Sequence, residues 1–188
     1  MNAKDQLKSS VAPATEADLS AIAELAGFIW RACYPGIITR AQIDYMLARM
    51  YALDTMREEI RAQGIHYDLL LVDGEPSGFA SYGPTEAGTL RRGVRIAQRA
   101  VPTFKLHKLY LLPELHGRGL GSRLLQHCEQ EVRATGARRL ILSVNRRNPK
   151  AIAAYQRNGF VIAESLVTDI GGGFVMDDYI MAKELRSA

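Results

Sequence analysis

Apolar positions first recur at helical spacing in "TEADLSAIAELAGFIW", where Leu19, Ile22, Ala23, Leu25 and Ala26 share one face. Thr15 followed three residues later by Asp18 is an N-terminal helix signal, so the pattern predicts an amphipathic first helix. Pro35 and Gly36 in "YPGIITR" break it, and Thr39 is placed to cap a second helix carrying Ile43, Met46, Leu47 and Met50. Asp54 is a candidate cap for a further short helical piece. The period then changes. "YDLLLVDGEPSGFASYG" sets Asp73-Gly74 between two apolar runs and predicts an antiparallel hairpin. Residues 104–112, "FKLHKLYLL", read as a strand. After a glycine-rich segment, Leu120, Leu124, Leu125, Cys128 and Val132 form one helical stripe. "RRLILSV" is a strand, Asn148-Pro149 opens a helix running through Tyr155, and "FVIAESLV" and "FVMDDYIMAKEL" close the chain as strands.

This order, with two helices, a hairpin, two strand-helix units and a closing strand pair, predicts an α/β (mixed α+β) fold with a mixed sheet and helices on both faces. Strand 104–112, the helix after it and strand 139–144 form a crossover. Its right-handed sense makes those two strands parallel neighbours or near neighbours. No low-complexity or Pro/Gly/Ser-rich stretch divides the 188 residues, so residues 1–188 are expected to form a single domain.

Composition narrows the class. The longest aliphatic run, "LLLV" at 69–72, is far short of the roughly 20 residues that span a bilayer, and no apolar signal segment opens the chain. A cytoplasmic location and no membrane partner are expected. Two cysteines, Cys33 and Cys128, suit neither a zinc site nor a disulfide framework and point to core thiols in a reducing compartment. Four scattered histidines show no ligand spacing, so no metal is expected.

Charge is unevenly distributed. Residues 91–147 hold 13 Lys/Arg against three acids, while the remainder holds 11 against 17. A basic stretch of this kind attracts a polyanion. No RNP aromatic pair, zinc finger or basic helix with heptads accompanies it, so a phosphate-bearing small molecule is the more economical partner than nucleic acid.

"ELHGRGLGSRLL", 114–125, places Gly117, Gly119 and Gly121 between a strand and a helix within this basic region. The first N–H groups of a helix lack intrahelical partners, and small residues let a phosphate reach them at the positive end of the dipole. Arg118 adds a planar charged donor and Ser122 a hydroxyl. A P-loop would need GxxxxGK[ST] and a dinucleotide fold GxGxxG. The even spacing here is neither.

The residues resemble the GCN5-related N-acetyltransferase superfamily. Its first signature, a strand, a proline and then Gln/Arg-x-x-Gly-x-Gly/Ala at a helix start, is matched in "LYLLPELHGRGLGSRLL" by Pro113, Gly119 and Gly121, with His116 in place of Gln or Arg. Its second, Asn then Ala-x-x-x-Tyr then Gly-Phe, is matched in "NPKAIAAYQRNGF" by Asn148, Ala151, Tyr155, Gly159 and Phe160. The ends of the chain, "FIWRACYPGIIT" and "TDIGGGFVMDDYIMAKEL", look like the PaiA-like branch, some members of which acetylate polyamines.

The resemblance implies a central mixed, mostly antiparallel sheet of about seven strands flanked by about four helices, with acetyl-CoA as the acetyl donor and a small-molecule amine as acceptor, a peptide or protein amine being the alternative. A catalytically silent acyl-CoA-binding domain is the rival from another class. Implied for the pyrophosphate of CoA are Arg118, Gly119, Gly121 and Ser122, with His116, Gly117 and Leu120 also among the cofactor-binding residues. The pantetheine arm is expected along Leu109, Tyr110, Leu111 and Leu112, with the parallel strand splayed away at 143–145. Asn148 either bonds that arm or caps its helix. Tyr155 is the expected general acid, since a phenol of pKa near 10 can protonate a leaving thiolate. The base is left among Glu114, His107 and the Asp177–Asp178 pair, of which alternation sends only one toward any pocket. Trp30 and Tyr34 are expected to wall the acceptor site, and Asp177 and Asp178 to meet its charge. The four arginines of 88–100 are candidates for the CoA 3′-phosphate or for solvated cover. A monomer or a homodimer would fit.

Overall fold

The computed structural model of the protein describes residues 7–85 and 101–185; the arginine-rich stretch 88–100 lies outside them. The strands are β1 (Ser9–Pro13), β2 (His66–Val72), β3 (Glu75–Pro84), β4 (Thr103–Leu111), β5 (Arg139–Asn145), β6 (Val161–Gly171) and β7 (Phe174–Glu184). They form one seven-stranded sheet in the order β1-β2-β3-β4-β5-β7-β6. β4 and β5 pair parallel, while β1 with β2, β5 with β7, and β6 with β7 pair antiparallel. Five α-helices are described: α1 (Leu19–Cys33), α2 (Arg40–Met50), α3 (Leu53–Gln63), α4 (Leu120–Ala134) and α5 (Pro149–Arg157).

Two compact units divide the described residues. The first comprises residues 7–81 and 108–125, the second residues 82–85, 101–107 and 126–185.

In the first unit, the Asp18 carboxylate accepts from the Thr15 amide at 2.7 Å and the Thr15 hydroxyl at 2.8 Å, which fixes the chain as it enters α1. Thr39 caps α2, accepting from the Gln42 amide at 3.2 Å. The hairpin turns at Asp73 and Gly74, both at positive φ (52° and 90°), as a two-residue type I′ turn requires. Two expectations are corrected. The N-terminal lead contains β1, whose register Ser9↔Val72 to Pro13↔Asp68 makes it a partner of β2. The short helical piece expected near Asp54 is a full third helix, α3, one of five α-helices among the described residues. Asp54 lies inside it instead of capping it, since Ala52 holds the cap position. α3 buries only Met56, so its apolar periodicity is too weak to announce eleven helical residues.

In the second unit, pairing registers put Ile141, Ser143 and Asn145 of β5 on one face with Ala182, Ile180 and Asp178 of β7, and Lys105 of β4 beside Ile141. The opposite face presents the buried Leu140, Leu142, Val144 and Met181. Cys128 and Val132 of α4 are also buried, as the sequence stripe requires. On that side Lys183 of β7 grips the buried Glu129 of α4 at 2.6 and 2.7 Å. After α5, Gly159 turns left-handed (φ 87°), and the amide of the buried Phe160 bonds back to the Tyr155 carbonyl at 3.1 Å, which accounts physically for "NGF".

Candidate functional site

The glycine segment belongs to the first unit. β4 ends at Leu111, and a single 3-10 turn over Pro113–Leu115 delivers the chain to the mouth of α4. Gly117 and Gly119 each have φ of 78°, a conformation that L side chains rarely adopt. The first helical bond is Arg123 N–H to Gly119 C=O at 3.0 Å, so the amides of Leu120 and Gly121 stand in the first turn, ahead of any helical carbonyl. Gly117, Arg118 and Gly119 are exposed, and no protein atom lies within 4 Å of where a side chain on either glycine would begin. Bare amides, open space and one guanidinium fit a phosphate-bearing ligand. His116 turns away from this mouth: its Nε2 lies 3.1 Å from the Leu111 carbonyl and ties the loop back to β4.

The edge of β4 divides the four residues expected to meet the pantetheine arm. The Leu112 amide donates to Ser77 C=O at 3.0 Å, and the Tyr110 carbonyl lies so close to Gly78 that a Cβ there would sit 2.6 Å from it. Both therefore face β3, and alternation directs the backbone groups of Leu109 and Leu111 to the other edge. The Tyr110 side chain joins an aromatic cluster: Trp30 stacks on Tyr34 at 4.5 Å between ring centroids and lies 5.7 Å from Tyr110, which also meets Phe79 at 5.6 Å. The Tyr34 and Tyr110 hydroxyls are 3.2 Å apart. Trp30 is 1% exposed, so Tyr34 and Tyr110 present the cluster's accessible surface and Trp30 backs them.

Sequence reasoning missed a buried charge in this unit. Lys108 of β4 donates to Glu59 of α3 and to Tyr67 of β2, each at 2.7 Å. Tyr67 also donates to Glu59. Burial, reinforced by Glu59, pushes the Tyr67 phenol far up from its ordinary range, so it stays a neutral donor.

In the second unit the parallel ladder of β4 and β5 runs only from Thr103↔Arg139 to Leu106↔Leu142, which leaves residues 143–145 of β5 outside it. Asn148 caps α5, its Oδ1 accepting from the Ala151 amide at 3.1 Å. Tyr155 is half-buried, with its ring edge-on to Phe160 at 5.8 Å. Alternation separates the two aspartates. Asp177 pairs with Arg146 at 3.2 Å on an exposed surface. Asp178, in register with Asn145, points to the face that holds Lys105. Burial pushes the Asp178 carboxyl up to about 6, against the opposing pull of the Lys105 charge. Burial in turn lowers Lys105. Toward the other end of β5 and β7, Ile141, Val161, Ala163, Ile180 and Ala182, together with the charged Arg139, Lys183 and Glu184, line a cavity of about 430 Å³ that includes neither Asp178 nor Lys105. Glu114 is exposed on its turn, and His107 is half-buried in β4.

Among the described residues no group of His, Cys, Asp or Glu could hold a metal ion, and no helix is long and apolar enough to cross a membrane.

Comparison with known proteins agrees with this geometry. The model of the acetyltransferase (GNAT) family matches residues 27–160. A spermidine N(1)-acetyltransferase of Thermoplasma acidophilum is 28% identical over 160 residues, covering 85% of this chain and 90% of that protein. The crystal structure of the PaiA N-acetyltransferase of the same organism, in complex with coenzyme A, superposes with a TM-score of 0.75 at 23% identity over 94% of this chain and 99% of that one. The ribosomal-protein-S18-alanine N-acetyltransferase of Escherichia coli shares the fold, with a TM-score of 0.67 at 19% identity over 96% of each chain. A family match over most of its length, carried on a seven-stranded mixed sheet with bare amides at the mouth of α4, makes this chain a member of the acetyltransferase (GNAT) family, an acetyl-CoA-dependent N-acetyltransferase.

Proposed function

We propose that the protein acetylates a primary amine, and that the amine is a polyamine or another small amine. The observation that carries the reading is the α4 mouth: two left-handed glycines, an exposed arginine and the first-turn amides of Leu120 and Gly121 make an anion site between a strand and a helix. Similarity over 85% of the chain to a spermidine acetyltransferase supports the choice of acceptor.

When bound, acetyl-CoA supplies an activated acyl thioester. In this reading the amides of Leu120 and Gly121, with Arg118, hold its phosphates, and the outward edge of β4 at Leu109 and Leu111 orients its arm. Asn148 fixes the start of α5, and so sets where Tyr155 stands. Tyr155 holds a proton on its phenol oxygen for the departing sulfur. Tyr34 and Tyr110 offer aromatic faces to the acceptor.

CoA release from acetyl-CoA, measured across spermidine, spermine, amino acids and a lysine peptide with product mass, tests this directly. Turnover confined to polyamines is the expected outcome; turnover only on the peptide would reassign the acceptor. Tyr155→Phe should lower kcat by about 100-fold while leaving acetyl-CoA affinity unchanged by calorimetry. Loss of affinity in step with kcat would remove the acid role.

A further inference from the structure

An amine that arrives as an ammonium must lose a proton before it can act as a nucleophile, and neither the glycine mouth nor Tyr155 takes one. The second unit contains a group built for it. Asp178 Oδ1 is buried and accepts no hydrogen bond. The carboxylate is thus under-compensated where it stands, which is unfavourable for an isolated fold and useful for receiving a cation. Its place is also specific. Asp178 is in register with Asn145, the last residue of β5, beyond the point where the β4–β5 ladder stops.

The groups that reach it from each neighbouring strand are few. β4 contributes Lys105, whose charge acts on Asp178 without a direct ion pair. β7 contributes Asp177, itself held by Arg146 at 3.2 Å. β5 presents Asn145 and β6 presents Leu166 in register, neither charged. Lys105 is therefore the one cation set against this carboxylate among the described residues, and it stands back from contact.

We propose that Asp178 receives the acceptor amine's ammonium and takes its proton, and that Lys105 is the positioning residue whose charge keeps the carboxylate ionised for that step. One N–H bond of the ammonium breaks, an O–H bond forms on Asp178, and the electron pair stays on nitrogen. The proton returns to water before the next turnover. The proposal rests on the amine-acetylation reading and adds to it which of the two adjacent aspartates acts, and what controls it.

The test pairs a carboxyl titration with a rate profile. Asp178 is titrated by carbon-detected NMR in the protein without acetyl-CoA, and kcat/KM for spermidine is measured across pH 5–9, in the unmodified protein and in Lys105→Met, Lys105→Arg and Asp178→Asn. In the unmodified protein the carboxyl should titrate near 6. Lys105→Met should move both that midpoint and the acid limb of kcat/KM upward by about one pH unit, and Lys105→Arg should restore both. Asp178→Asn should cut kcat/KM by about 100-fold and abolish the limb. An acid limb that stays in place while the NMR midpoint moves, or full activity in Asp178→Asn, overturns the proposal and leaves amine acetylation standing. Absence of CoA release by the unmodified protein with any amine overturns both.

Discussion

Each unit sets a lysine of β4 against a carboxylate, and the two encounters differ in kind. In the first unit Lys108 touches Glu59 at 2.7 Å with side chains 2% and 15% exposed, Tyr67 completes the group, and the rings of Tyr67 and Tyr51 lie 5.0 and 5.7 Å from the ammonium. In the second, Lys105 and Asp178 meet only through space, the aspartate is half-buried, and one of its oxygens has no donor. Three residues along one strand separate a closed network from an open one. Satisfied buried charge holds a fold in register; an unsatisfied carboxylate is left for something that arrives later.

The sharpest break in that comparison is Lys108→Met. It strands Glu59 with a single phenol, and unfolding in urea should show a loss of about 3–5 kcal/mol. Replacing both partners, Lys108→Met with Glu59→Leu, should recover much of it, because no buried charge is then left alone. A small effect of the single change would show that solvent reaches Glu59 and that the network is not closed.

Asp178→Asn should act in the other direction. Its folded pKa, about 6, is above the ordinary 3.8, so the folded state binds the proton more tightly than the unfolded one. The sign follows: the carboxyl does no harm below about pH 4 and progressively destabilises as pH rises through about 6. The asparagine variant should be more stable than the parent at pH 8 by ~1 kcal/mol after allowance for solvent screening, and equal to it near pH 4. Thermal melts at the two pH values check this, and a variant less stable at pH 8 would contradict the open character of the site. Asp177→Asn removes only an exposed pair with Arg146, so its melting point should shift least of all.

What could be read from the sequence follows the same division between local and distant causes. The Thr39 cap, the Asp73-Gly74 turn, the buried stripe Leu120 to Val132 and the two glycine-bearing signatures are local, and each appears where its pattern puts it. β1 was not legible, since five residues ending in proline become a strand only by finding β2 some sixty positions on. α3 hides for a related reason, with one fully buried side chain in eleven residues. In the site, alternation shows that Asp177 and Asp178 part company. Which of them meets Lys105 depends on the register of β7 against β5 and of β5 against β4, and these pairings are long-range.

The mouth of α4 also carries a statement about handedness. At Gly117 and Gly119 there is room for a methyl group, and what an ordinary residue lacks there is the right chirality of backbone. Exchanging either for L-alanine would therefore burden the protein before any ligand arrives, at about 1–2 kcal/mol per position. The shape of this mouth is thus written into the chain as two achiral letters, and a loop of the same length, charge and bulk spelled without them would not close on it.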